Sequence, residues 1–385
     1  MISFSKYRRA YLLLFISLIV AGCSQPLIIK NSSYDEPGYF MFGRIPQRDF
    51  YSDLIIGEVI EKWNNQTSGS QTGSSIVIYN NTVFVYDLSG RIYGFDRLTG
   101  KLLGYEKFNG SIETAPVVKN LRIFFVVNEK LENYSTFIVF DFINGKILKE
   151  ERIDGGVTNE LIRLDDGIVL LTDVGELIKF NYVGTREWST KTETTSLSSP
   201  ASNNEIIIWG NQSGEIILAS AKTGEIKSKT KLQKPITGGI TIVNDDSYFA
   251  DEAGTVYCYN IKDMKVIWET ATGSKILSTP AADDLKIYIG NLKGKIFALD
   301  KNNGKIIWEV NTQGIINTTP LVTKNMLIQP DVNKKVYFIN TASGTIEKSL
   351  SFDTRTKLNP VIYDGMLYMG SDRGIIHTYQ VYGAE

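Results

Sequence analysis

One histidine, His377, and two cysteines, Cys23 and Cys258, are all that 385 residues offer of the side chains that most often hold zinc or pair as nucleophile and base. A structural zinc site draws four ligands from Cys and His, so the usual zinc centres are excluded. A Ser-His-Asp triad would have to be built on that single imidazole. Charge of one sign is also lacking, with 41 Lys and Arg against 42 Asp and Glu, so the chain carries no electrostatic footprint for nucleic acid. The glycine pairs Gly155-Gly156 and Gly238-Gly239 lack the following helix and the spacing of a phosphate cradle. Asp165-Asp166, Asp245-Asp246 and Asp283-Asp284 all precede strands in tight turns and read as solvated turn residues. A calcium site would need more ligands converging. No catalytic residue, metal ligand or cofactor site is predicted.

What the chain has instead is a period. Residues 294–308 read Gly-Lys-Ile-Phe-Ala-Leu-Asp-Lys-Asn-Asn-Gly-Lys-Ile-Ile-Trp, and related phrases start at Gly90, Ser135, Gly175, Gly214, Gly254, Lys334 and Gly374. Successive offsets are 45, 40, 39, 40, 40, 40 and 40, the mark of a repeat architecture. Within each phrase an apolar, β-branched and aromatic run is followed by a short turn and a second run, which is hairpin grammar. The turn opens on Asp96, Asp141, Asn181, Asn260, Asp300 or Asn340 and closes on Gly100, Gly145, Gly184, Gly224, Gly304 or Gly344. The first type can hydrogen-bond its own backbone and the second accepts a positive φ. Met264 replaces the closing glycine in the fifth repeat, so a distorted hairpin is expected there.

Between the hairpins a second phrase ends in Pro: Ala115-Pro116, Ser199-Pro200, Thr279-Pro280, Thr319-Pro320 and Asn359-Pro360. Pro is tolerated at the first residue of a strand, and another hairpin follows, giving four strands per unit. Units of this size and strand number build β-propellers. The expected fold is all-β: an eight-bladed β-propeller of four-stranded antiparallel blades. The segment around Lys62-Trp63 reads as an outermost strand without its own hairpin, and the last repeat stops where its outermost strand should begin. Pairing the N-terminal strand with the C-terminal blade would close the ring and remove both open edges. Trp63, Trp188, Trp268 and Trp308 share the outer-strand slot; Trp209 falls in a second strand. Cys258 and His377 occupy repeat positions held elsewhere by apolar or aromatic residues and read as structural.

The N-terminus is a different kind of sequence. Lys6, Arg8 and Arg9 precede an apolar stretch over residues 11–20, too short to span a bilayer but suited to the core of a secretory signal. It ends in Val20-Ala21-Gly22-Cys23-Ser24, which resembles the lipobox of bacterial lipoproteins. That resemblance implies cleavage after residue 22, lipidation of Cys23 and, with Ser24 rather than Asp next, delivery to the outer membrane, periplasmic face. The expected organisation is 1–22 signal peptide, 23–56 lipidated Cys and tether, and 57–385 propeller. Residues 39–42, Tyr-Phe-Met-Phe, are apolar enough for part of the tether to dock. Deleting residues 24–55 is expected to leave the ring folded, and deleting through Trp63 to unravel it.

The repeat resembles that of pyrroloquinoline quinone dehydrogenases over about residues 57–383. Those enzymes are longer, and many carry an adjacent Cys-Cys pair absent here. A lipoprotein made of one such propeller and little else resembles the BamB family of the β-barrel assembly machinery. The resemblance implies a non-enzymatic scaffold that needs no cofactor. Its partners would be the periplasmic domains of the barrel-inserting outer-membrane protein, the other assembly lipoproteins, unfolded clients, and membrane lipid through the acylated Cys23. In that family partner contacts come from loops leading into innermost strands of mid-propeller blades. The matching segments are 194–199 and 234–238, which offer Thr195, Leu197, Pro235 and Ile236, although they do not reproduce the family's acidic and Arg contacts. A periplasmic propeller binding sugars or cell-wall fragments, and a degenerate quinoprotein dehydrogenase, are the alternatives.

Overall fold

In the computed structural model, which describes residues 25–30, 32–129 and 131–383, the strands form eight separate sheets. Blades 1 to 7 span residues 77–107, 117–154, 162–191, 201–231, 241–271, 281–311 and 321–351. Blade 8 is composite: Thr356–Tyr363, Met366–Ser371 and Ile375–Tyr382 are completed by Glu58–Gln66 as the outermost strand, antiparallel to Ile375–Tyr382. The ring therefore closes through the pairing of chain ends that the missing strands predict. Among the described residues no helix is long and apolar enough to cross a membrane.

Burial follows strand position. Second and third strands are buried along nearly their whole length, as in Lys295–Asp300, whereas outer strands such as Ile226–Lys231 alternate, because blades stack face to face and only the outer edge meets water. All eight blades carry a bulge at one repeat position between the third and the outermost strand, from Gly94/Phe95 in blade 1 to Thr378/Tyr379 in blade 8. The fifth hairpin has the same bulge, at Cys258/Tyr259, and is not distorted. Met264 takes the positive φ itself, at 54°, accepting the left-handed strain that glycine avoids.

Two devices join neighbouring blades. On the outside, each slot tryptophan lies on the turn glycine of the next blade: Trp63 on Gly100, Trp188 on Gly224, Trp268 on Gly304 and Trp308 on Gly344. Three also donate the indole N–H to a turn carbonyl, Trp63 to Arg97, Trp268 to Lys301 and Trp308 to Thr341, at 3.0, 3.0 and 3.1 Å. On the inside, the residue before each repeat Pro, which opens its innermost strand in blades 2, 4, 6 and 7 and lies within it in blade 8, joins a hydrogen-bonded belt around the channel. Ala115 N–H donates to Glu160 Oε2, Glu160 N–H to Ser199 Oγ, Thr279 N–H to Thr319 Oγ1, and Thr319 N–H to Asn359 Oδ1. Asn359 N–H returns to the Ser74 carbonyl. The Ser, Thr and Asn before Pro are thus acceptors for the preceding blade.

The segment expected as a tether, 23–56, is docked along nearly all of its described part. Residues 37–54 cross one mouth of the channel, and their carbonyls accept N–H groups from five blades. Pro37 accepts from Asn80, Phe40 from Val118, Pro46 from Ser202, Gln47 from Ile242, Phe50 from Val322 and Leu54 from Lys324. Gly38–Tyr39 adds a strand to blade 1 and Tyr51–Ser52 pairs in parallel with blade 7. Tyr39, Met41, Phe42 and Phe50 are buried. At the centre of this plug Arg48, wholly buried, donates to four carbonyls: Pro200 (2.7 Å), Phe42 (2.8 Å), Glu160 (2.9 Å) and Leu161 (3.2 Å). The physical reason for the difference from a tether is the apolar content already visible at residues 39–42, which the channel mouth takes out of water.

Candidate functional site

With one mouth plugged, the opposite mouth is the exposed one. It is built from the loops leading into the innermost strands and the turns joining second to third strands. In blades 4 to 7 each loop is pinned to its turn by one backbone bond: Gln212 N–H to Thr195 O, Glu252 to Pro235, Leu292 to Lys275 and Val332 to Ile315, at 2.9–3.0 Å. This fixes which side chains face outward. Thr195 and Leu197 are exposed, and Pro235 is partly so. Ile236 is fully buried against Gly210, where an added Cβ would meet its Cγ2 at 2.4 Å. It belongs to the core, as do its equivalents Ile276 and Ile316, and is not available to a partner. Two outward residues escaped the sequence reading: Leu277 stands one double repeat after Leu197, and Ile315 one double repeat after Pro235. Leu197, Leu277 and Ile315 are 47, 38 and 47% exposed, and with Pro235 they form an apolar arc over four consecutive blades. The arc is bordered by charge, including the Lys275–Glu252 and Arg355–Asp372 pairs.

The buried ionisable groups are committed to the scaffold. Asp87, Asp251 and Asp331 cap second-to-third-strand turns and accept the hydroxyls of Tyr93 (3.1 Å), Tyr257 (2.9 Å) and Tyr337 (3.0 Å). Burial, reinforced by Asp331, pushes the Tyr337 phenol up to about 12. Burial likewise raises the Cys258 thiol to about 12, leaving it a protonated core side chain rather than a nucleophile. His377 packs on Phe352, at 4.5 Å between ring centroids, and its Nδ1 lies 3.4 Å from Glu61 across the closing strand pair. In the belt, burial raises the Glu160 carboxyl, opposed by Ser74, Arg48 and the Ala115 N–H. Among the described residues no three Asp, Glu, His or Cys side chains converge, and a hard cation held by the protein asks for several such oxygen donors.

At the plugged mouth a cleft of about 390 Å³ lies between residues 38–54 and blades 7 and 8, lined by aromatic and charged side chains including Arg44, Asp49, Tyr51 and Tyr363. Cys23 and residues 1–22 lie outside the described residues.

A family profile, that of the outer membrane protein assembly factor BamB, matches residues 60–227, 212–289 and 279–383. No curated protein matches the sequence. Among solved structures the chain resembles BamB from Moraxella catarrhalis, with TM-score 0.71 and 13% identity over 84% of this chain and 100% of that one. It also resembles a europium-containing methanol dehydrogenase, with TM-score 0.76 and 10% identity over 89% and 98% of the two chains. A quinohemoprotein alcohol dehydrogenase from Comamonas testosteroni gives TM-score 0.72 and 12% identity over 91% and 81%. At such identities these likenesses establish the propeller fold.

Proposed function

Since the chain belongs to the family of the outer membrane protein assembly factor BamB, we propose that it is a non-enzymatic scaffold of β-barrel assembly. In this reading its exposed mouth docks on the periplasmic domains of the barrel-inserting protein. The observation that carries the proposal is the apolar arc of Leu197, Pro235, Leu277 and Ile315, on loops that backbone bonds pin to the turns of a closed ring. Rigid presentation lowers the ordering cost of association, and a central apolar patch with a charged border has the anatomy of a protein interface. Thr195 belongs to the same surface. The outer strand Ile346–Ser351 of blade 7, exposed along most of its length, offers a second mode, in which an extended client adds a strand. Residues 1–22 act as a lipoprotein signal, and Cys23 carries the lipid that holds the ring at the periplasmic face of the outer membrane, beside the other assembly lipoproteins.

The test is recovery from native envelopes. Tagged wild-type protein should retain the barrel-inserting protein, and Leu197→Asp with Leu277→Asp should release it while the circular dichroism spectrum and melting temperature stay unchanged. Retention by the folded double variant refutes the arc. A ligand-binding propeller is the second reading, favoured by the aromatic and charged cleft at Arg44, Asp49, Tyr51 and Tyr363. Calorimetry with cell-wall glycan fragments, on wild type and Tyr51→Ala, decides it: heat lost in the variant supports a ligand site, and no heat in either sample rejects it.

A further inference from the structure

Residues 25–29 take the place of a missing tryptophan. Gly104 occupies in blade 1 the slot that Trp63 fills in blade 8, and an added Cβ there would meet the Pro26 carbonyl oxygen at 2.3 Å. Ile28 sits on Gly145, the turn glycine of blade 2, as Trp63 sits on Gly100. Leu27 reaches the third-strand Gly94 and is fully buried, and Ile29 is buried beside it. Backbone bonds fix the path: Tyr105 N–H donates to Gln25 O at 2.9 Å and Ile29 N–H to Phe142 O at 2.8 Å. The Gln25 side chain also donates to Leu103 O at 3.0 Å. The chain start is therefore built into the joint between blades 1 and 2.

This removes the slack from the attachment. A flexible segment from residue 23 to 56 would let the ring wander over roughly 30 Å. With Gln25 locked to the outer strand of blade 1, only Ser24 separates the ring from Cys23, two residue steps that reach at most about 7 Å. We infer that the outer edge of blades 1 and 2 is a lipid-facing surface, so that the ring stands edge-on to the membrane with its two mouths opening sideways. The edge presents exposed Leu98, Ile147 and Leu148 together with exposed Lys101, Lys146, Lys149 and Arg152 and the exposed carboxylates of Glu150 and Asp154, an apolar and zwitterionic mixture suited to a headgroup layer. Edge-on attachment leaves the apolar arc of blades 4 to 7 clear of the bilayer. The inference rests on the lipid-anchored reading of Cys23.

The test uses full-length lipidated protein in phosphatidylethanolamine–phosphatidylglycerol vesicles doped with a nitroxide-headgroup lipid. A fluorophore is placed on a single introduced cysteine, at Lys107 in blade 1 or at Ile267 in blade 5 across the ring. Cys258 is buried and does not compete for label. Quenching at position 107 with retained emission at 267 is expected. Gly104→Val, which pushes Pro26 out of its slot, should keep the protein on the vesicles while abolishing the difference between labels. Vesicle flotation with equal quenching of both labels in the wild type overturns the edge-on inference alone. Failure of the wild type to float with vesicles withdraws the lipid anchor and the inference with it.

Discussion

Arg48→Met tests whether the plug is held by one residue at its centre. The substitution keeps most of the side-chain volume, so its effect is not that of a cavity. It removes four hydrogen bonds to buried carbonyls and the cation that opposes desolvation of Glu160. Leaving a buried acceptor without its donor costs about 1–3 kcal/mol, so stranding four carbonyls costs at least about 3–4 kcal/mol. That cost falls on docking of the plug rather than on the ring, whose blades keep their own ladders. The readout is amide hydrogen exchange at Val118, Ser202, Ile242 and Val322, all of which donate to plug carbonyls. At about 1.4 kcal/mol per decade, exchange at these four amides should speed up by roughly two to three orders of magnitude. Amides inside the ladders, such as Leu299 and Phe338, should be unaffected. Adding Glu160→Gln should recover part of the loss, since it removes the stranded carboxylate while keeping an acceptor for Ala115 N–H. Unchanged exchange at the four plug-bonded amides in Arg48→Met would refute the reasoning.

Met264→Gly should stabilise the protein by about 1 kcal/mol by relieving an L residue at positive φ, visible as a higher denaturant midpoint. Gly304→Ala and Gly273→Ala both place a methyl at positive φ, but only the first meets Trp268, at 2.5 Å, while Gly273 faces open space. Gly304→Ala should cost at least about 1 kcal/mol more than Gly273→Ala, and equal midpoints would dismiss the tryptophan seat. Burial holds the His377 imidazole below its ordinary value, against the pull of Glu61 and Asp353. Between that lowered pKa and about 6.5 the unfolded chain binds more protons than the folded one. Stability should therefore fall as the pH drops below about 6.5, level off beneath the folded pKa, and show no His377 contribution at higher pH. Thermal melts from pH 8 to 5 should have a flatter slope for His377→Gln, and parallel slopes would remove His377 from the account.

How much of this was legible depended on repetition. Strand order and turn chemistry recur at the 40-residue period, so every blade repeats the evidence of the last, and ring closure followed from the two incomplete units at either end of the series. The Ser, Thr and Asn before Pro were legible as a pattern, although their role as inter-blade acceptors is a tertiary fact that no single repeat contains. Met264 misled because glycine is the cheapest residue at a positive φ but not the only one that tolerates it. Ile236 misled because a lead-in loop alternates inward and outward by one residue. Comparison with Ile276 and Ile316, apolar at the same repeat position, could have marked it as core, and the double-repeat spacing from Leu197 to Leu277 could have extended the arc. The plug had no such signal. It meets successive blades with one residue at a time, and a segment that touches a pseudo-symmetric ring in this way carries no period of its own.

That asymmetry changes what the N-terminal segment is for. Had residues 24–55 been a passive tether, a chain beginning at residue 57 would retain every blade and melt like the full protein. In the structure that chain loses the filler of the blade 1 slot, Leu27 and Ile29 from the core, the acceptors for six N–H groups at the plugged mouth, and the partner of Glu160. Each exposed large apolar side chain alone forfeits about 1.5–3 kcal/mol, and Glu160 becomes an uncompensated charge at a newly opened mouth. The truncated ring should therefore melt well below the full chain. Because the joint between blades 1 and 2 has lost its filler, exchange should accelerate first at Phe84 and Phe125, not at the closing strand pair of blade 8. Coincident melting of the two chains would return the segment to the status of a tether, and with it would fall the fixed geometry between anchor and ring.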